Sequence, residues 1–127
     1  METTISTDKM AQFRDKKYIS LETYRKNGEA VRTPVWLIDE GEELLIRTDP
    51  DTGKAKRIRN NPKVRVALCN IRGTAKGDWV DGTARFADDA TVERIRGLLK
   101  KKYGLMYRLS GLLGRGKSKA VVIAVRI

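Results

Sequence analysis

Hydrophobic and polar positions alternate along several stretches of the chain, which is the pattern of half-buried β-strands. In residues 17–26, KYISLETYRK, Ile19 and Leu21 alternate with polar positions, and Asn27-Gly28 then supplies a strong hairpin signal. Further strands are predicted at 29–39, 43–48, 64–71, 78–87 and 120–127. Gly82 in the fifth strand predicts a bulge or a close approach.

Three segments carry helix signals. Thr7 or Asp8 can cap a short helix whose apolar positions are Met10, Ala11 and Phe13. Residues 52–62, TGKAKRIRNNP, predict a short helix that Pro62 ends. Residues 88–113 begin with aspartate caps and predict a basic amphipathic helix, weakened at Gly97, Gly104 and Gly111. The order β-β-β-α-β-β-α-β predicts a mainly β (α+β) domain over 1–127, a six-stranded antiparallel barrel with flanking helices.

Two predicted strands, 64–71 and 120–127, are apolar or small on both faces. A barrel needs only one apolar face, so the outer wall of these strands is expected to be covered as well. A homodimer that packs wall to wall would cover it, or the long helix would cover one of the two strands.

Composition limits the environment. A chain of 127 residues suits one domain, and its longest apolar run near the end, Ala120 to Val125, is too short to span a bilayer. The opening METTISTDKM lacks the pattern of a secretory signal. The single cysteine, Cys69, excludes an internal disulfide and lacks a partner for catalysis, so a structural role and a reducing cytoplasm are expected.

Charge indicates an anionic partner. The net charge is +11, which suits nucleic acid, an anionic membrane or an anionic cofactor. The sequence contains no histidine, so histidine-dependent nucleophilic catalysis and imidazole metal sites are excluded. No metal ligands and no catalytic side chains are predicted. The basic helix 91–113 is expected to face the core, and a membrane-surface helix is the alternative.

The basic cluster at 54–59 is a candidate anion site. A P-loop is excluded, because Thr48 and Ala55 stand where that motif needs Gly and Ser or Thr. Lys54 and Arg57 share a helix face near the N-terminus, where cations are unfavourable unless an anion binds. The alternative is that Asp49 and Asp51 neutralise the cluster.

Two tryptophans lie in unusual settings. In RTPVW, residues 32–36, Pro34 predicts an edge strand whose neighbouring backbone is free for a ligand, or simply an edge strand with Trp36 in the core. Trp79 in GDWVDG would either stack on a planar ligand or close one end of the barrel.

These segments together resemble the pyridoxamine-phosphate-oxidase-like split-barrel flavoproteins, in particular the branch of probable coenzyme F420-dependent (deazaflavin) oxidoreductases. The resemblance lies in three segments that cover most of the first 86 residues: YISLETYRKNGEAVRTPVWL (18–37), IRTDPDTGKAKRIRNNPKVRVALC (46–69) and GDWVDGTARF (77–86). KAKRIRNNPKV at 54–64 is similar to the family's Lys-x-x-Asn-Leu-x-x-(Asn/Asp)-Pro-x-Val signature, with Arg57 where much of the family has Asn.

The resemblance implies a six-stranded split-barrel homodimer of the FMN-binding type, with a flavin-type cofactor between subunits. It assigns the cofactor phosphate to Lys54, Arg57, Arg47 and Thr48. It places the ring against 32–36 and Trp79 at the groove or dimer seam, so the cofactor-binding set is Arg32, Thr33, Pro34, Val35, Trp36, Arg47, Thr48, Lys54, Arg57 and Trp79. The cofactor would supply the hydride chemistry.

Four hypotheses follow. The first is a deazaflavin-dependent oxidoreductase that acts on an unsaturated small molecule, and the basic charge suits the polyglutamate tail of coenzyme F420. The second uses flavin mononucleotide (FMN) instead. The third is a basic barrel that binds nucleic acid, which the low aromatic content of 6% disfavours. The fourth is a cofactor carrier without turnover.

Overall fold

A computed structural model describes residues 9–109 and 119–127. Its strands are β1 (Ile19–Tyr24), β2 (Ala30–Val35), β3 (Ile38–Glu40), β4 (Glu43–Thr48), β5 (Lys63–Leu68), β6 (Val80–Phe86) and β7 (Val121–Arg126). Its helices are a 3-10 turn (Ala11–Phe13), α1 (Gly53–Asn60), α2 (Asp89–Tyr103) and α3 (Leu105–Leu109). The last four residues of the predicted helix 88–113, which include Gly111, lie outside the described residues, as do the predicted cap residues Thr7 and Asp8.

The strands form one antiparallel sheet in the order β2-β1-β5-β6-β7-β4-β3. The antiparallel split barrel is confirmed, with seven strands rather than six. The predicted strand 29–39 divides because its first half pairs with β1 and its last residues pair with β4. The chain therefore crosses from one edge of the sheet to the other through Trp36 and Leu37.

This crossing curls the sheet. β2 and β3 are its two outermost strands, and only two residues separate Val35 from Ile38. The edges must therefore meet at that link. Away from it, among the described residues, the outer edge of β2 has no partner strand, and residues 46–48 of β4 pair with β7 on one side only, which leaves a split in the barrel wall.

The inner faces of the strands form the main core. The buried side chains there include Ile19, Leu21, Leu44, Ile46 and Ile123, and Phe13 joins them from the 3-10 turn. Gly82 is a point of close approach, as predicted, because a Cβ at that position would lie 2.9 Å from Val125 Cγ1.

A second core lies outside the barrel wall. Val92, Ile95, Leu99 and Tyr103 of α2 pack on the outward side chains of β7 and β4, among them Val122. The long helix therefore covers the outer wall of the 120–127 strand, as one of the two alternatives predicted. α2 ends where Gly104 adopts a positive φ of 52°, at one of the predicted weak points.

Loop 70–79 approaches the sheet at Pro34 of β2 and at Leu68 and Arg65 of β5. Ser20 and Ala67 are buried there, and Gly73 approaches the Pro34 ring. Cys69 is buried, and its backbone forms an isolated antiparallel β-bridge with Ala75. Burial raises the pKa of the Cys69 thiol.

Candidate functional site

A cavity of about 410 Å³ occupies the split in the barrel wall. We call it the slot. Its lining residues are Tyr18, Pro34, Val35, Trp36, Arg47, Lys54, Ile71 and Met106. The slot thus brings together five predicted site residues from three places in the fold: β2 with the link that follows it, the end of β4, and the first turn of α1.

Trp36 is fixed beside the slot by Tyr103 of α2. The two rings stack with centroids 4.2 Å apart and planes within 5°. The Tyr103 hydroxyl accepts from Leu37 N at 3.0 Å and donates to Lys17 O at 2.7 Å. Burial raises the pKa of Tyr103 to about 12, so this hydroxyl remains neutral near pH 7. The link between β2 and β3 is therefore anchored to α2.

The start of α1 is tied to the end of β4. Thr52 caps the helix, because its Oγ1 accepts from Ala55 N at 3.4 Å, and the same hydroxyl lies 3.1 Å from Thr48 Oγ1. Thr48 is buried in this contact. The arrangement carries Lys54, in the first turn of the helix, to the slot.

Lys54 and Arg47 are the two cations of the slot. Burial, and then the charge of Arg57, lowers the pKa of Lys54. The Arg47 Nε is buried and has no hydrogen-bond partner among the described residues. Buried polar groups are nearly always hydrogen-bonded. An acceptor that enters the slot would satisfy this donor, so the slot has the features of an anion site.

Arg57 lies outside the slot lining. Its Nε donates to Thr23 Oγ1 of β1 at 2.7 Å, and its guanidinium occupies the space that a Cβ at Gly53 would need. In the described part of the chain, no salt bridge joins Asp49 or Asp51 to Lys54 or Arg57. Arg57 is therefore placed to orient α1.

Arg32 and Trp79 belong to a separate cluster on the outer face of β1, β2 and β5. We call Glu22, Arg32, Arg65 and Trp79 the outer cluster. The Trp79 ring centroid lies 4.3 Å from Arg32 Cζ and 5.4 Å from Arg65 Cζ, and neither Trp79 nor Arg32 is among the residues that line the slot.

Glu22 is the centre of the outer cluster and is 2% exposed. It accepts from Arg32 at 2.8 Å and from Tyr24 at 2.6 Å. Burial alone would raise the pKa of this carboxyl, but the hydrogen bonds from Tyr24 and Arg32 and the charges of both arginines hold it below 4.5. Thr33 pairs with Leu21 across the strands and so faces the barrel interior.

Several lining residues carry no signal in the sequence. Tyr18, Ile71 and Met106 come from three different segments, and the Tyr18 hydroxyl lies 3.9 Å from Met106 Sδ. Of the three, only Tyr18 had any signal in the sequence, because the alternation of residues 17–26 places its side chain on the outer face of the strand. Glu22 and Tyr103 were not predicted as functional either.

A larger groove of about 680 Å³ lies on the outer face between β5 and β6. Two of its arginines already have carboxylate partners: Arg65 pairs with Glu22 and Asp81, and Arg126 pairs with Glu42. The slot holds the less satisfied cations and is the better candidate. The described residues contain no group of three or more potential metal-ligating side chains, and none of the described helices is both long and apolar enough to cross a bilayer.

The fold is shared with solved structures of low sequence identity. A putative pyridoxamine 5'-phosphate oxidase from Listeria innocua aligns with a TM-score of 0.68 and 18% identity, over 98% of this chain and 90% of that one. A structure described as an F420 reductase aligns with a TM-score of 0.65 and 20% identity, over 92% of this chain and 90% of that one. HutZ, the heme storage protein from Vibrio cholerae, aligns with a TM-score of 0.64 and 15% identity, over 94% of this chain and 88% of that one.

No curated protein matches the sequence. The family model for pyridoxamine 5'-phosphate oxidase matches residues 6–127, which is nearly the whole chain. This match agrees with the antiparallel split barrel. The chain therefore belongs to the pyridoxamine 5'-phosphate oxidase family.

Proposed function

We propose that this protein is an oxidoreductase that binds an anionic flavin-type cofactor in the slot, with coenzyme F420 as the first candidate and FMN as the second. The observation that carries the proposal is the pair of cations in the slot: Arg47 has a buried, unsatisfied Nε, and Lys54 is held there by α1. Family membership and the fold shared with an F420 reductase support the choice of cofactor class.

The residues of the slot fit the two ends of such a cofactor. Arg47 and Lys54 would hold its phosphate, because charge-assisted hydrogen bonds satisfy both the buried donor and the unpaired cation. Pro34, Val35 and Trp36 supply an apolar wall suited to a planar ring. Thr48 would act indirectly, through its contact with the helix cap at Thr52.

The cofactor, when bound, would supply hydride transfer to or from an unsaturated small molecule. The chain would supply position and electrostatics. Tyr103 holds the Trp36 ring in place, and Trp36 and Met106 add apolar surface to the lining of the slot. Lys54 would stabilise negative charge at the slot.

Coenzyme F420 is preferred over FMN because of charge. Its polyglutamate tail is an extended polyanion, and the net charge of +11 suits such a ligand better than a compact mononucleotide. FMN remains the alternative, because its phosphate and ring would meet the same side chains.

We also propose that the protein is a homodimer and resides in the cytoplasm. Ile71 at the slot is 65% exposed, and a second subunit would enclose the cofactor there. The single buried cysteine suits a reducing compartment. Light scattering of purified protein measures the oligomeric state, and a monomer at micromolar concentration would contradict the dimer.

The test is a fluorescence titration with coenzyme F420 and with FMN. We expect binding of at least one, and we expect Arg47→Ala and Lys54→Ala to weaken it by about 10- to 150-fold, which corresponds to roughly 1.5–3 kcal/mol. Lys56→Ala is the matched control, because Lys56 is an exposed lysine on the same helix. Arg57→Ala tests whether this side chain contacts the phosphate or only orients α1.

Two outcomes would reject the proposal. One is binding of neither cofactor together with tight, salt-sensitive RNA binding, which would favour the nucleic-acid hypothesis. The other is stoichiometric heme binding without flavin-type binding, by analogy with the heme storage protein of the same fold. The sequence offers heme no histidine, so we expect the Soret band of added heme to keep the position and shape that it has without protein. Binding without reduction of any substrate would indicate a cofactor carrier.

A further inference from the structure

The end of α2 and the short helix α3 carry positive charge without acidic neighbours in sequence. Residues 94–109 contain six Lys or Arg and no Asp or Glu. Three of the six have contacts elsewhere: Arg94 with Glu40, Arg96 with Glu93, and Lys102 with Leu37 O. The side chains of the remaining three, Lys100, Lys101 and Arg108, have no hydrogen-bond or ion-pair partner in the described part of the chain.

Exposed leucines accompany these cations. Leu105 is 66% exposed and Leu109 is 77% exposed, and they lie four residues apart on one side of α3. The core-facing side chain of α3 is Tyr107. Single exposed leucines are common, but here two of them on one side of a short helix follow, within nine residues of chain, lysines that carry no ion pair, so this stretch combines apolar and basic character. We call Lys100, Lys101, Leu105, Arg108 and Leu109 the basic leucine face.

We propose that the basic leucine face docks on the surface of an anionic lipid bilayer. Such a surface supplies both complements at once, because its headgroups attract lysine and arginine and its acyl boundary accepts leucine side chains. Nucleic acid would satisfy the cations but would leave the leucines in water. Charge complementarity together with the leucines therefore selects a lipid surface.

Docking at this face would set the slot close to the membrane. Met106 lies between the two leucines in sequence and lines the slot, where its Sδ contacts the Tyr18 hydroxyl. A bilayer bound at α3 would place the slot near the lipid phase, so a small molecule dissolved in lipid would enter it directly. The docking itself does not depend on the proposed cofactor.

The test is vesicle co-sedimentation of the full chain, without added cofactor. We expect binding to vesicles of phosphatidylcholine mixed with phosphatidylglycerol, weak binding to phosphatidylcholine alone, and release by salt. Leu105→Ser with Leu109→Ser should lower the partition coefficient at least about tenfold. Lys100→Gln, Lys101→Gln and Arg108→Gln together should lower it by a similar factor.

The matched control removes three exposed lysines on other parts of the chain: Lys9→Gln, Lys26→Gln and Lys63→Gln. It should stay within about threefold of the unchanged protein, because those charges lie off the proposed face. Circular dichroism of each variant confirms that it is folded. The proposal would be overturned if the control variant lost as much vesicle binding as the variants of the basic leucine face. It would also be overturned if the unchanged protein did not bind the mixed vesicles. A dimer that dissociates in the leucine variant, without vesicle binding, would assign the face to self-association instead.

Discussion

The rings of Trp36 and Tyr103 lie parallel, with centroids 4.2 Å apart, although the two residues are far apart in sequence. The same tyrosine binds the backbone at Leu37, the next residue along the β2–β3 link. One side chain of α2 therefore holds both residues that join the two edges of the sheet. The shape of the slot depends on a residue that does not line it.

Removal of the Tyr103 hydroxyl should destabilise the fold while the stacked ring remains. Tyr103→Phe leaves the buried Leu37 N and the partly buried Lys17 O without this partner, which costs about 1–3 kcal/mol of unfolding free energy. Urea denaturation measures the loss. Tyr18→Phe is the control, because the Tyr18 hydroxyl makes only a weak contact, at 3.9 Å, with Met106 Sδ in the described part of the chain, and this substitution should cost less than about 0.5 kcal/mol. Equal effects of the two substitutions would contradict the assigned role.

Lys54 should lower the stability of the ligand-free protein. Burial lowers the pKa of its ammonium, so the folded state disfavours the proton and stability rises as pH increases through that lowered pKa towards 10.5. Lys54→Met should therefore raise the unfolding free energy at pH 7 by about 0.5–2 kcal/mol. The gain should shrink in denaturation experiments at higher pH. The same change at the exposed Lys56 should have little effect, and a Lys54→Met protein that is less stable at pH 7 would refute the argument.

Glu22 should stabilise the outer cluster in a pH-dependent way. Its folded pKa lies below 4.5, so its contribution is complete above pH 4.5 and is lost as pH falls through the folded value. Glu22→Gln removes the charge that pairs with both arginines, and we expect it to lower the unfolding free energy at pH 7 by about 1–3 kcal/mol. The loss is limited because both arginines are partly exposed to solvent, which weakens their ion pairs with Glu22. The difference should narrow below pH 4.5 in urea titrations. Glu29→Gln removes an exposed i,i+4 pair and should cost about 0–1 kcal/mol at most.

Two glycines should respond to alanine with opposite signs. At Gly82 a Cβ would lie 2.9 Å from Val125 Cγ1 and 3.1 Å from Arg126 O, so Gly82→Ala should destabilise by about 1–3 kcal/mol. Gly97 lies within α2 with open space around it, and Gly97→Ala should stabilise by roughly 0.5–1 kcal/mol. Thermal unfolding of both variants tests the pair. A shift of the same sign in both would show that the contact at Gly82 does not decide its effect.

Alternation and turn residues predicted most of the strands, because each element leaves a local pattern. The division of 29–39 into β2 and β3 could not be predicted, since Val35 to Ile38 is a continuous apolar run and the crossing depends on pairing with distant strands. The outer wall at β7 had two explanations in the sequence, and packing of Leu99 and its neighbours against Val122 distinguished them.

Pattern and family resemblance identified five residues that line the slot, because they lie in segments that carry the family's motifs. They did not reveal side-chain direction. Arg57 was expected beside Lys54, but it turns towards Thr23, and Trp79 was expected to plug or stack but lies between two arginines. The direction of a side chain depends on its neighbours in the folded protein. Arg32 and Arg65, for example, both pair with Glu22, and their positions in the sequence do not indicate this shared partner.

The position of β7 in the sheet has a consequence for biosynthesis. It is the last strand along the described chain, yet it lies between β6 and β4 and pairs with both. Before it leaves the ribosome, β3 and β4 cannot join the rest of the sheet by backbone pairing. Long-range strand pairing is slow and leaves edges exposed. We therefore expect the barrel of the nascent protein to remain incomplete, and the protein to depend on chaperones, until residues 121–126 have left the ribosome.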